Sequence, residues 1–379
     1  VIVTRLRLRD FRTYDRVEVP LGPGLTVVHG RNGAGKTNLL EGLYFGCTAR
    51  SCRTSNEREV LRFDQVAARV EVEGEDRDGR HTLAVGFQPG EDKRIKVDGV
   101  PVARLLDAPV RPLVSVFLPE RLELVKGPPA LRRSHLDAVI TALWPSRTAT
   151  RTGYRQALAQ RNALLGRVRA GRSGRDALAA WDLELGRHGI ALRDDRARAV
   201  QLLQGPFAEV ADELGLAGVP ELRYRPRSRA DTAPAFAAEL AERLESDLER
   251  GFTGHGPHRD DLALLRDGRE LRVYGSQGEQ RLGLLSLLLA ERDVLTAERG
   301  APPLLLLDDV MSELDADRRA LLVARITRAG QSLVTTTDLA HVPGADADTV
   351  VRLAVTPGTV TVDDGAGAAD GPGLRGLAA

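Results

Sequence analysis

The chain has 379 residues and carries 54 lysines and arginines against 53 aspartates and glutamates, a formal net charge of +1. That balance excludes a globally basic nucleic-acid binder, so any basic surface must be local. No run of about eighteen apolar residues is present, and the two cysteines, Cys47 and Cys52, are too few for a disulfide framework or a zinc site; a soluble cytoplasmic protein with reduced thiols is expected.

The start alternates apolar and polar residues from Ile2 to Leu8, as a strand does and a signal peptide does not. Apolar Leu25-Thr26-Val27-Val28 then leads into Gly30-Arg-Asn-Gly-Ala-Gly-Lys-Thr37, a complete G-x-x-x-x-G-K-[ST] phosphate loop, and a helix-like stretch from Asn38 to Phe45 follows. Strand before and helix behind are the context in which this pattern binds a nucleoside triphosphate. The expected phosphate contacts are Gly30, Asn32, Gly33, Ala34, Gly35, Lys36, Thr37 and Asn38, with Lys36 reaching the β- and γ-phosphates and Thr37 ligating Mg²⁺. Lysine occurs only at Lys36, Lys93, Lys96 and Lys126; every other fixed cation is arginine. Further alternating stretches at Ala68–Glu73, Thr82–Phe87 and Ile95–Val97 predict antiparallel strands, with turn chemistry at Gly79 and Asp98-Gly99.

The pattern then changes to Ala, Leu and Arg at helical spacing, which predicts a helical insert over 111–250 inside a head made of 1–110 and 251–363. Gly166, Gly171, Gly174, Gly205-Pro206 and Gly215 are expected to break it every few turns and so exclude a long coiled coil. Its first half is basic, and Arg132, Arg133, Arg151 and Arg155 are candidate contacts to duplex DNA, although a solvated arginine-rich face would have the same composition. Aromatics are sparse there, with Trp144, Tyr154 and Trp181, so stacking on single strands has little support. His255 and His258 in Gly254-His-Gly-Pro-His-Arg-Asp-Asp261 lack companion cysteines, and a hydrogen-bonded turn is expected rather than a metal site.

Past Gly251, Leu262–Leu265, a turn at Asp267-Gly268 and Leu271–Tyr274 suggest a hairpin, and a long helix should run from Gln277 to Arg299. Ser276-x-Gly278-Glu279-Gln280 opens that helix, either as an ordinary N-cap or as a second phosphate site. The apolar run Leu304–Leu307 reads as a buried parallel strand ending in Asp308 and Asp309, a Walker B pattern in which Asp308 would hold Mg²⁺ through water and Asp309 would be the catalytic base, acting with Lys36. The glycine-rich tail over 364–379 is expected to be disordered.

The order of phosphate loop, Ser-x-Gly-Glu-Gln helix, Walker B and Ser312-Glu-Leu-Asp315 resembles the ABC-type ATPase heads. The fold class is therefore α/β, an ABC-type head with a phosphate-loop sheet and additional antiparallel strands, plus an α-helical second lobe. Three further stretches narrow the resemblance to the RecF family of bacterial recombinational-repair ATPases, namely Leu8-Arg-Asp-Phe-Arg-Thr-Tyr14, Pro119–Pro129 ahead of Arg132-Arg133, and Gly256–Leu262. The resemblance implies that two subunits sandwich ATP, with Ser276 and Gly278 of one meeting the γ-phosphate held by Lys36 of the other and Asp315 at the seam. It also implies an ATP-dependent homodimer on duplex and gapped DNA, weak DNA-stimulated hydrolysis, and cooperation with RecR and RecO in loading RecA at the nucleoid, with no membrane partner. Asp309 stands where transporter heads carry glutamate, and the switch histidine is replaced by threonines, of which Thr336 or Thr337 would sense the γ-phosphate. A transporter nucleotide-binding subunit and a Rad50- or SMC-like head share these motifs; the spacing from Thr37 to Ser276 argues against the first and the glycine interruptions against the second.

Overall fold

Alternation in the first residues folds as the strand Ile2–Phe11, with Val3, Leu6, Leu8 and Phe11 buried and the arginines between them turned outward. The protein is described here from a computed structural model covering residues 1–328 and 330–363. The expected tail over 364–379 lies outside the described residues. The chain divides into two units, Val1–Pro119 with the chain from Pro302, and Glu120–Ala301.

Two six-stranded sheets build the first unit. One is antiparallel throughout and runs in the order Tyr14–Pro20, Ile2–Phe11, Ala68–Asp76, Gly79–Phe87, Arg94–Val97, Val100–Pro101. The other runs Thr359–Val362, Val351–Thr356, Leu25–His29, Ser332–Thr336, Leu304–Leu307, Val114–Phe117, parallel except for its first strand. Leu304 to Leu307 are all buried, as a strand interior to such a sheet requires. The helix Lys36–Thr48 contributes Leu39, Leu40, Leu43 and Phe45 to a core shared with both sheets.

In the second unit a three-stranded sheet, Arg269–Glu270, Asp261–Arg266, Pro220–Arg225, accompanies helices that include Pro129–Leu143, Thr148–Arg169, Leu178–Glu213, Ala233–Ala241 and Gln277–Arg299. The sequence boundary at 250/251 falls inside this unit, because the hairpin strand Asp261–Arg266 pairs with Pro220–Arg225 and the helix Gln277–Arg299 packs on Leu178–Glu213. Two other expectations need correction. Leu271–Tyr274 forms one helical turn, not a strand. The helix Leu178–Glu213 runs 36 residues straight through Gly205 and Pro206, and Gly166 sits inside Thr148–Arg169, so only Gly171, Gly174 and Gly215 interrupt. Packing overrides propensity here: at Gly186 a methyl would stand 2.8 Å from the Ala233 carbonyl oxygen, so glycine is what lets the Ala233–Ala241 helix approach.

This unit is stapled by buried arginines. Arg161 donates to Asp182 (2.6 Å), Asp247 (2.7 Å) and Thr253 (2.8 Å), and Arg196 makes a two-pronged pair with Asp137 while reaching the Pro257 carbonyl oxygen (2.7 Å). Charges taken out of water this far must be paired, so these contacts fix how the helices seat against one another.

Candidate functional site

The strand Leu25–His29 lies between Val351–Thr356 and Ser332–Thr336, and its carboxyl end opens into Gly30. At Gly30, φ is 152° and a methyl would sit 2.3 Å from the Val355 carbonyl oxygen, so only glycine lets the loop leave the sheet here. Asn32 and Gly33 form the exposed crest, Ala34 is buried, and Gly35 in the left-handed region starts the helix Lys36–Thr48. No side chain caps that helix, which leaves the amides of its first turn to an anion.

Lys36 is only 7 % exposed, and its Nζ donates to the carbonyl oxygens of Gly30 (2.7 Å) and Arg31 (3.2 Å). Burial lowers its pKa, while the nearby Asp309 and Asp308 carboxylates oppose that shift. Thr37 Oγ1 donates to Asp308, 2.8 Å from Oδ2, and Thr335 Oγ1 donates to Asp308 Oδ1 at 2.7 Å. A hydroxyl beside a carboxylate is a hard-oxygen donor pair of the kind Mg²⁺ takes, so these residues fit the ion. Asp309 follows with φ 48°, its N–H donating to Thr335 Oγ1 (2.9 Å) and its Oδ1 buried without a hydrogen-bond partner. A non-glycine residue held left-handed with an unsatisfied carboxylate oxygen is strain of the sort that marks reactive positions.

The threonine that meets the acids is Thr335, one residue before the Thr336 and Thr337 expected to sense the γ-phosphate; Thr336 donates to the Asp338 carbonyl oxygen. Parallel pairing of Leu307 with Val334 carries the signal, since one residue further on puts Asp308 beside Thr335. A second missed feature backs the loop. Glu41, on the helix after it and fully buried, accepts a two-pronged pair from Arg12 (2.8 Å each) and a hydrogen bond from Ser51 (2.5 Å). Tyr14 donates its hydroxyl to the Gly35 carbonyl oxygen (2.9 Å), and Asn38 bonds Thr13 and Arg53 rather than standing open. Thus the segment around Arg12 to Tyr14 braces the phosphate loop. Asp315, exposed, accepts the Arg318 N–H (2.9 Å) at the start of the helix Ala316–Arg328.

In the second unit, Ser276 caps Gln277–Arg299 with a reciprocal capping box, Oγ accepting the Glu279 N–H and Glu279 accepting the Ser276 N–H (2.8 Å). The backbone donor at Ser276 holds the Glu279 pKa down, and Arg266 pairs with the same carboxylate. As an N-cap the hydroxyl accepts, so its own proton stays available to a phosphate oxygen. At Gly278 a methyl would meet nothing within 4 Å, which leaves the helix mouth open to close approach.

The four arginines proposed for DNA separate. Arg132 is 3 % exposed, locked to Asp261 (2.7 and 3.0 Å) and to the Gly127 carbonyl oxygen (2.8 Å), and cannot reach a phosphate. Arg133 is half-buried and spends a guanidinium nitrogen on the Asp260 carbonyl oxygen (2.7 Å), with its pKa lowered by burial. Both belong to the scaffold, because the Gly256–Asp261 turn they bind has to be held against the helices. Arg155 is exposed and Arg151 half-exposed on Thr148–Arg169. The histidines of the Gly254–Asp261 segment are hydrogen-bonded as expected, His255 to Glu239 (2.6 Å) and His258 to Tyr154 (2.7 Å) and Thr253 (2.8 Å); among the described residues no cluster of metal-binding side chains occurs. Among those residues, too, no helix is long and apolar enough to cross a membrane.

The family model described as the RecF/RecN/SMC N-terminal domain matches residues 2–361. The DNA replication and repair protein RecF of Herpetosiphon aurantiacus is 37 % identical over 366 residues, covering 89 % of this chain and 93 % of that protein. Its counterpart in Chloroflexus aurantiacus is 38 % identical over 392 residues, covering 94 % and 99 %. The solved structure of the recombination mediator protein RecF with ATP, in the RecFOR pathway, superposes with a TM-score of 0.86 at 28 % identity, over 95 % of this chain and 97 % of that one. An SMC head bound to the C-terminal winged-helix domain of ScpA gives 0.57 at 16 % identity over 96 % and 97 %, a likeness of fold.

Proposed function

The chain belongs to the RecF family of DNA replication and repair proteins, within the ABC- and SMC-like ATPases, and on that premise we propose that it is an ATP-switched DNA clamp of recombinational repair. ATP is taken by the loop Gly30–Asn38, with Lys36 on the β- and γ-phosphates. Thr37 and Asp308 hold Mg²⁺, which when bound neutralises charge on the phosphate oxygens. Asp309 orients the attacking water and takes its proton, and Thr335 keeps both acids in register by donating to Asp308 and accepting from the Asp309 N–H.

In a homodimer, the Ser276 hydroxyl and the open helix mouth at Gly278 of one subunit meet the phosphates held by Lys36 of the other, with Asp315 at the seam. Facing donors and phosphates neutralise one another only when both subunits are present, so ATP controls association. Duplex DNA beside a gap is the ligand of that dimer, slow DNA-stimulated hydrolysis releases it, and RecR and RecO act with it in loading RecA. The solved structure of the recombination mediator protein RecF with ATP, in the RecFOR pathway, supports the ATP and pathway parts of this reading.

The observation that carries it is the contact of Thr37 and Thr335 with Asp308, beside an Asp309 whose Oδ1 has no hydrogen-bond partner. Steady-state hydrolysis with and without gapped duplex tests it. Stimulation by DNA that disappears in Lys36→Ala is the expected result; turnover indifferent to DNA, or retained in that variant, would count against it.

A further inference from the structure

On the outward face of the antiparallel sheet, strand registers line up four arginines. Arg16 stands opposite Arg9, Arg9 opposite Arg69, Arg69 opposite Gly86, and Gly86 opposite Arg94. Their strand neighbours Val17, Leu8, Val70, Val85 and Ile95 are buried on the other face, and the arginine side chains stand in solvent, Arg9 at 77 % and Arg94 at 78 % exposure. With strands about 4.8 Å apart the row is about 19 Å long.

Like charges directly opposite on a sheet repel, and the adjacent row shows the ordinary solution, Glu18, Arg7 and Glu71 alternating in sign with Arg7 bonded to its neighbours. The arginine row does without it. Arg69 pairs with Glu71 and Arg94 with Glu91, both within their own segments, and Arg9 lies 3.9 Å from Asp10. Arg16 has no ion pair among the described residues. Ala84 and Gly86 keep the centre low, so that Arg69 on one side and Arg94 with Lys96 on the other rim a shallow groove that also holds Glu91 and Asp92, and a second groove runs along Arg9, Arg16 and Arg69 with Asp15, Glu18 and Glu71 in its lining.

We infer that this face is a docking surface for the phosphate backbone of duplex DNA, with Arg9, Arg16, Arg69 and Arg94 each taking phosphate contacts. The inference rests on the DNA-binding role proposed above and locates a contact surface in the first unit, apart from Arg151 and Arg155. At about 3.4 Å per base pair the row spans five or six pairs. No aromatic residue stands on this outward row or on the next, Glu18 to Lys96, so bases have nothing to stack on and the backbone is what the face can read.

The test is fluorescence anisotropy of the full chain with labelled duplex across a salt series. It compares R9E/R16E with R77E/R80E, which makes the same charge change at exposed positions at the far hairpin end of the same sheet, about 20–27 Å along the strand direction. R9E/R16E should bind at least about tenfold more weakly at 0.1 M salt, with the slope of log affinity against log salt reduced by about 2. R77E/R80E should stay within about twofold of wild type, and both variants should bind ATP and melt as wild type does. Wild-type affinity and slope in R9E/R16E, or equal weakening in both variants, would overturn the surface while leaving the proposed function standing. A wild-type chain that fails to bind duplex at low salt would overturn both.

Discussion

Replacing Arg132 with alanine distinguishes a scaffold arginine from a DNA contact. Arg132 makes a fork to Asp261 and donates to Gly127, with the carbonyl oxygens of Leu124 and Val125 at 3.4 Å. Truncation leaves the Asp261 carboxylate with its own Leu262 N–H as the remaining donor shown and strips the carbonyls of theirs. Removing one member of such a buried pair costs about 3–5 kcal/mol. The unit Glu120–Ala301 is of a size for which about 1 kcal/mol moves the midpoint by roughly 2–4 °C, so the transition of this unit should fall by roughly 6–20 °C. Differential scanning calorimetry measures it. Below that transition, duplex affinity should stay within about threefold of wild type, whereas exposed Arg155→Glu should leave melting within about 0.5 kcal/mol and weaken binding severalfold. An R132A protein that melts as wild type does but loses DNA would refute the assignment and return Arg132 to the interface.

Asp309→Asn keeps size and tolerates the left-handed backbone at φ 48°, so stability should hold while single-turnover hydrolysis drops by about 10²–10⁴; turnover within tenfold of wild type would remove Asp309 as base. Gly30→Ala must displace the Val355 backbone and should destabilise the first unit by about 1–3 kcal/mol while abolishing ATP binding, read by calorimetry with and without nucleotide. Burial lowers the His258 pKa to about 4, from an ordinary histidine value of 6.5. The unfolded chain therefore binds a proton between those values that the folded chain does not, and stability falls as pH drops through that window, by up to about 3 kcal/mol. Urea unfolding at pH 7 and pH 4.5 should show this loss in wild type and a smaller one in His258→Gln.

What the sequence disclosed was whatever depends on neighbours along the chain. The phosphate loop, the strand Leu304–Leu307 and the helix Gln277–Arg299 each carry their pattern within a few consecutive residues, and the structure has them where the pattern put them. What it concealed depends on tertiary neighbours. Arg132 and Arg155 lie on successive helices of one basic stretch, and only Asp261, far along the chain, makes the first a buried staple and leaves the second in solvent. Thr335 needed the pairing of its strand with the Walker B strand, and the unbroken helix through Gly205-Pro206 needed its packing partners. Arg12 bracing Glu41 had no local signal, because the two are joined by the fold alone.

The most direct test of an ATP-switched clamp is sedimentation velocity of the Asp309→Asn protein with labelled gapped duplex, run with and without Mg-ATP. The account predicts a DNA-bound dimer with ATP and none without it. A monomer in both conditions, or a dimer indifferent to ATP, would contradict it.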